Sequence, residues 1–329
     1  MKILVIRLSS IGDVVLTMPV VGWLKSEGGV AELHFLTKRQ NAALLSGLTE
    51  IDKVHCYDSS IEETVEELRK EHFDAVLDLH NNHRSKRVRR ALGVKSYVYN
   101  KENAGKMLYV MTKHDFMSGR HVVDRYLDAA KSLCGVKNSM ETKDCTYPVW
   151  HLQETMFPDR CAEWTAGEPY VVVACGAQHA TKRIPADKIA MLVEKAERKV
   201  VLVGDSEDRK RIETAGTNMS GDVMNLCGET SLLEMVAVVS KASVVVTSDS
   251  AVMHIASAFQ RPVIAVWGAT VPSFGFWAYN TERYDYEVVG LRCRPCSRMG
   301  TERCRKGHMD CMERQDWDGM VKKMNSINR

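Results

Sequence analysis

Two doubly wound α/β domains facing each other across a cleft are predicted by two observations. Short apolar runs alternate with helix-like segments along nearly the whole chain, and this rhythm breaks once near the middle before restarting. The 329 residues, 45% of them hydrophobic, also exceed the size at which one core usually stops growing. In the first half the runs at 3–6, 33–36, 54–57, 75–79 and 96–99 read as buried parallel strands. One connecting helix shows Ile61, Val65 and Leu68 at i, i+4 and i+7 among charged residues, and another spans 121–134 with Gly135 as its C-cap. From 138 to 169 the regularity is lost, and Pro148, Pro158, Gly167 and Pro169 mark a linker. The expected domains are therefore 1–160 and 161–329. In the second half, strands are expected at 170–174, 200–203, 223–226, 244–247 and 263–267, with helices at 185–198, 206–217, 232–241 and 250–260.

Bulk properties exclude several classes. A formal charge of +3 is too small to imply a nucleic-acid partner. No run approaches the roughly 18 apolar residues of a spanning helix, and no secretion signal precedes the first strand, so a cytoplasmic protein is expected. Ten cysteines then read as thiols or metal ligands rather than disulfides. Neither G-x-G-x-x-G nor G-x-x-x-x-G-K-[ST] is present, which argues against a dinucleotide-dependent dehydrogenase and a P-loop NTPase.

The chemistry-bearing residues stand at strand ends, where open α/β sheets bind ligands. Arg7-Leu8-Ser9-Ser10-Ile11-Gly12-Asp13 brings one carboxylate to a helix expected to begin near Val14; an acid at a helix start is equally explained as a cap. After the strand at 170–174, Gly176, Ala177 and Gln178 let backbone N–H groups approach an anion, and Lys182 and Arg183 follow, a pattern suited to pyrophosphate or to a solvated loop. Glu207 and Asp208 open a helix after Gly204-Asp205 and could accept from a ribose, although helix starts attract acids in any case. Asp249, Ser250 and Ala251 form a hydroxyl-rich turn ahead of His254, able to orient sugar hydroxyls and meet phosphate, although an Asp-Ser pair is also a common N-cap.

These motifs resemble glycosyltransferase family 9, the lipopolysaccharide ADP-heptose heptosyltransferases. The likeness is carried by R-L-S-S-I-G-D-V-V-L-T-M-P from Arg7, D-A-V-L-D-L-H from Asp74, G-A and K-R-I-P between Gly176 and Pro185, S-D-S-A-V-M-H-I-A from Ser248, and R-P-V-I-A-V-W-G-A-T from Arg261. It implies the GT-B fold, two Rossmann-like domains with the nucleotide sugar on the C-terminal one and the acceptor on the N-terminal one. It further implies inverting transfer of heptose from ADP-heptose to an inner-core glycolipid, the alternatives being transfer with another nucleotide sugar or acceptor and non-catalytic nucleotide-sugar binding. Asp13 matches the general base, Lys182 the cation that neutralises the leaving diphosphate, Asp249 the acid holding the donor sugar, and His254 the histidine after it. No catalytic metal and no required cofactor are expected.

Two segments stand apart. Asp78-Leu79-His80-Asn81-Asn82 replaces the D-x-Q-G frequent in relatives, and five cations follow between Arg84 and Arg90. Arg84 and Ser85 match the acceptor-side Lys-Ser, and Arg125 joins them as an expected acceptor contact. The cluster could bind the carboxylates and phosphates of a lipid core or touch an anionic inner-membrane leaflet, or serve as a solvated helix face. Cys293, Cys296, Cys304 and Cys311, with His308 nearby, suggest a structural zinc, with free or paired thiols as the alternative. Lying past the last nucleotide-site motif, this segment is expected to serve structure rather than chemistry.

Overall fold

The computed structural model describes all residues except 59, 137–144, 216–218, 220 and 328–329. Its first sheet holds β1 (Lys2–Ile6), β2 (Glu32–Lys38), β3 (Lys53–Tyr57), β4 (Ala75–Asp78) and β5 (Lys95–Val98) in the order β3-β2-β1-β4-β5. The second holds β6 (Tyr170–Ala174), β7 (Lys199–Val203), β8 (Val223–Asn225), β9 (Val244–Ser248), β10 (Val263–Trp267) and β11 (Arg283–Glu287) in the order β11-β10-β9-β6-β7-β8. Every pairing is parallel. The uninterrupted apolar runs explain this. Strands such as Val171-Val172-Val173 and Val244-Val245-Val246 are buried on both faces, as a helix-covered parallel sheet requires.

In each sheet the first strand of that half lies in the middle and the chain reverses direction beside it, β1 between β2 and β4, β6 between β7 and β9. Such switch points open a crevice at the carboxyl ends of the strands. Asp13 follows β1, the loop carrying Lys182 follows β6, and Asp249 follows β9.

Two compact units divide the chain: Met1–Lys101 with Arg120–His151, and Glu102–Gly119 with Leu152–Arg329. The sequence rhythm did not suggest that residues 102–119 belong with the second unit. Their helix Asn103–Thr112 sets Tyr109 edge-on to Phe274 at 5.8 Å and the Lys106 ammonium 4.6 Å from the centre of the Phe276 ring. Just past it, Lys113 Nζ donates to the Pro295 carbonyl at 2.9 Å.

Other departures are local. Residues 138–144 of the expected linker lie outside the described residues, and its later part contains a helix, Asp159–Thr165, which starts after Pro158 and buries Cys161. The helices expected at 185–198 and 206–217 are Ala186–Glu194 and Ser206–Thr214, with 216 and 217 outside the described residues. β11 escaped the sequence reading because its edge position leaves alternate residues exposed and charged. Among the described residues no helix is long and apolar enough to cross a membrane.

Candidate active site

In the first unit the turn after β1 enters the helix Ile11–Val15 at Ser10, earlier than the expected start near Val14. Asp13 therefore sits in the first turn, where its Oδ2 accepts from the Ser10 amide at 3.1 Å and the Ser10 hydroxyl at 2.8 Å. The other carboxylate oxygen lies 2.7 Å from Arg7 Nη2, so the residue that caps the helix is also ion-paired. Arg7 is itself buried and held in place: Nε donates to the Ser9 carbonyl at 3.0 Å, and Nη1 to the Tyr126 hydroxyl at 2.9 Å and to the Leu79 carbonyl. Burial alone would raise the Asp13 pKa. The Arg7 charge and the Ser10 donors outweigh it and bring the pKa down to about 2, so the carboxylate is ionised at neutral pH.

Around this pair the side chains are fixed. Tyr99 and Tyr126 meet edge to face at 4.6 Å, and burial raises both phenols. His80 follows β4, where Asp78 accepts from the His80 and Asn81 amides at 3.0 and 2.7 Å. The Asn82 amide nitrogen faces His80 Nε2 at 2.5 Å, whereas the buried His80 Nδ1 has no hydrogen-bond partner among the described residues. Burial first, then the Arg7 charge, lowers the His80 pKa to about 3, so the ring stays neutral.

The expected acceptor residues are distributed differently. Arg84 is half-buried with its guanidinium 5.9 Å from the centre of the Tyr57 ring. Ser85 is fully buried and exchanges hydrogen bonds with Asn82, capping the helix His83–Leu92. Arg125 is buried in the helix Val122–Cys134, next to Tyr126. Arg87 pairs with Glu62 at 2.8 Å and Arg89 lies 3.5 Å from Asp78, so part of the basic cluster is spent within the fold.

The second unit has a strand-end cluster of its own. Lys182 Nζ lies 2.8 Å from Asp249 Oδ2, and Thr270 donates to the same oxygen at 2.8 Å. Burial opposes ionisation of Asp249, but Lys182 and Thr270 hold its carboxyl below the ordinary range. Thr247 and Ser250 hydroxyls meet at 2.9 Å at the start of the helix Ala251–Ala258, which carries the buried His254. The loop between β6 and Lys182 is clamped at both ends by Arg211, which donates to the Cys175 carbonyl at 2.7 Å and the Ile184 carbonyl at 2.9 Å. Only glycine fits at 176. A Cβ there would stand 2.1 Å from Asp208 Oδ2.

That contact also defines Asp208, which is buried and caps the helix Ser206–Thr214 by accepting from the Asp205 amide at 3.1 Å. Glu207 is exposed and pairs with Lys210 at 2.9 Å, while Gln178 is exposed on the loop beside Ala177. Arg7, Arg211 and Thr270 were not singled out from the sequence. Arg7 and Thr270 stand inside motifs that were, which is the one signal that could have found them.

The cysteine segment, which lies past the nucleotide-site motifs in sequence, returns to the Lys182 loop in space. The Thr181 hydroxyl donates to the Thr301 carbonyl at 2.9 Å and accepts from the Thr301 amide at 2.8 Å. Gly300, at φ +103°, lies so close that a Cβ would meet Lys182 Cδ at 2.9 Å. Arg294 Nη2 donates to the Thr270 carbonyl at 2.8 Å, and the Cys296 amide to the Ala269 carbonyl at 2.9 Å. Burial, then neighbouring thiols, raises Cys296 and takes Cys311 up to about 11. Among the described residues the trio at mutual metal-ligating distance is a different one, His34, His55 and Glu71. Glu71 is already neutralised there by Lys2, at 2.7 Å, and Lys53.

A family model described as glycosyltransferase family 9 (heptosyltransferase) matches residues 61–305. Lipopolysaccharide heptosyltransferase 1 of Campylobacter coli is 24% identical over 300 residues, covering 83% of this chain and 85% of that one. The solved ADP-heptose lipopolysaccharide heptosyltransferase II of Escherichia coli is similar with a TM-score of 0.76 at 21% identity, over 99% of this chain and 98% of that one. The iron-containing dodecameric glycosyltransferase TibC of enterotoxigenic E. coli is similar with a TM-score of 0.60 at 14% identity, over 98% of this chain and 75% of that one. The two parallel sheets and these likenesses meet the expectation of a GT-B fold. With the family model spanning well over half of its length, the chain belongs to glycosyltransferase family 9, the heptosyltransferase family.

Proposed function

We propose that this protein is an inverting heptosyltransferase that moves heptose from ADP-heptose to the inner core of lipopolysaccharide, without a catalytic metal. The observation that carries the reading is a pair of carboxylate–cation contacts at strand ends, Asp13 with Arg7 and Asp249 with Lys182. The names of the relatives support the donor and acceptor classes.

In this reading the first unit takes the acceptor and the second the donor. Asp13 accepts the proton of the acceptor hydroxyl as that oxygen bonds to the anomeric carbon and the bond from that carbon to the diphosphate oxygen breaks. Lys182 and the amides of Ser250 and Ala251 compensate the charge gathering on the departing ADP. Asp249 holds sugar hydroxyls, and the neutral His80 offers its buried Nδ1 edge to the acceptor. Arg84 is the acceptor-side cation of the basic cluster. A glycolipid acceptor sets the reaction in the cytoplasm, against the inner membrane.

The four thiols are the donor type of a structural zinc, and binding would have to draw their sulfurs together from the positions seen here. Burial opposes ionisation of Cys304, but the backbone amides of Met309, Lys306, Gly307 and His308 bring its thiol below the ordinary value, the kind of support a metal-bound thiolate receives. Cys293, Cys296, Cys304 and Cys311 would hold the ion, whose part is to fold the loop that reaches Lys182.

The decisive experiment incubates the protein with ADP-heptose and a glycolipid lacking inner-core heptose, reading ADP release and the product's mass and anomeric configuration. Inverted product formed in the presence of a chelator is expected, with turnover in Asp13→Asn lower by about 100-fold or more while ADP binding persists. Transfer from UDP- or GDP-sugars instead, or binding without turnover, would overturn the reading.

A further inference from the structure

The helix Asn103–Thr112 carries its apolar stripe on the wrong side. Ala104, Met107, Leu108 and Met111 stand at i, i+3, i+4 and i+7 and all are exposed, Met107 by 53% and Met111 by 71%, while Lys106 is buried. A surface helix normally turns such a stripe to the core. Phe116, 53% exposed, extends the apolar surface beyond the helix end.

At that end Lys113 Nζ is bonded to the Pro295 carbonyl, which joins the helix to the loop 292–306. Arg292, Arg298, Arg303, Arg305 and Lys306 are exposed on this loop beside Met299. Its one acid, Glu302, is engaged by His179 at 2.9 Å. Exposed apolar side chains next to unbalanced cations match a surface that is apolar beneath and anionic on top.

A second copy of the chain fits less well. A ten-residue helix is about 15 Å long and cannot cover the roughly 800 Å² per partner of a stable interface. We infer that the helix Asn103–Thr112 and the loop 292–306 dock the protein on an anionic lipid bilayer, the methionines and leucine entering the boundary between headgroups and acyl chains and the arginines meeting the headgroups.

The test sediments the full chain with vesicles of phosphatidylcholine alone or mixed with phosphatidylglycerol. Binding to the mixed vesicles only, weakened by salt, is expected. The double variant Met107→Asp/Met111→Asp should lower the partition constant by about tenfold or more, with an unchanged far-UV spectrum and melting temperature. Each of Arg298→Glu and Arg305→Glu should lower it by about fivefold at low salt or more. Val289→Asp, at an 85% exposed position outside both elements, should bind like the parent. No partition into mixed vesicles at low salt, or unchanged partition of the double variant, would overturn the inference. So would a parent that self-associates without vesicles, loses this in the double variant and partitions no differently. Partition is read without donor or acceptor, so this result and that of the transfer assay fail independently.

Discussion

Lys182 and Asp249 hold each other at 2.8 Å, so the ammonium assigned to the diphosphate is already engaged by the acid assigned to the sugar. A donor arriving at this pair must share or replace the contact, and each residue sets how strongly the other attracts it.

Asp249→Asn removes the charge that Lys182 faces while keeping the side chain's size. Affinity for ADP, which has no sugar to hold, should stay level or rise, while affinity for the ADP-sugar should fall by about tenfold, the worth of a charge-assisted hydrogen bond. Calorimetry with both ligands reads the split, and equal losses for the two would remove Asp249 from the sugar.

Arg7 sets the proton affinity of Asp13, since its charge is the main force holding that carboxyl near 2 against burial. Without the charge the folded-state pKa must rise, so the acid limb of the kcat/KM profile should move to higher pH in Arg7→Met. Arg7→Lys, which keeps the charge, should move it less. A limb at the same pH in both variants would show that another group governs it.

Gly300→Ala tests the link between the cysteine loop and Lys182, the residue proposed to meet the donor. The added methyl would meet Lys182 Cδ at 2.9 Å and His179 Cβ at 2.8 Å. The donor KM should rise several-fold with the acceptor KM unchanged, because contact with the displaced ammonium is lost. Gly307, also at positive φ but with nothing within 4 Å of its Cβ position, provides the control for backbone strain.

A metal at the four thiols predicts about one equivalent of zinc by elemental analysis and a lower melting temperature after chelation or in Cys304→Ser. The donor KM should rise with it, since the segment is bonded to Thr181. Protein prepared without chelator that contains no metal would leave these residues as thiols.

Much of this was readable in the sequence because the strands are long apolar runs whose ends carry the reactive side chains. Asp13, Lys182 and Asp249 could be located from that rule and from their motifs. Arg7 could not, because its use depends on Tyr126, 119 positions further along the chain. Arg211 was hidden in a helix face that looks solvated, although it clamps carbonyls 36 and 27 positions away. Ser85 shows what a motif match leaves out: it marks the residue for the acceptor but gives no sign that its hydroxyl also accepts from the Asn82 amide in the helix cap. Periodicity reports burial well, but pairings between distant side chains leave little trace in it.

Because residues 102–119 join the second unit before the chain returns to the first, the backbone passes between the units three times, at 101/102, 119/120 and 151/152. Neither unit can be released by one cut. A fragment beginning at Leu152 would lack Tyr109 and Lys106, leaving Phe274 and Phe276 without their cover, and expression of that fragment alone should yield aggregated protein. Exchange of the second unit with a relative, in the laboratory or by recombination, has to carry two separate stretches of gene.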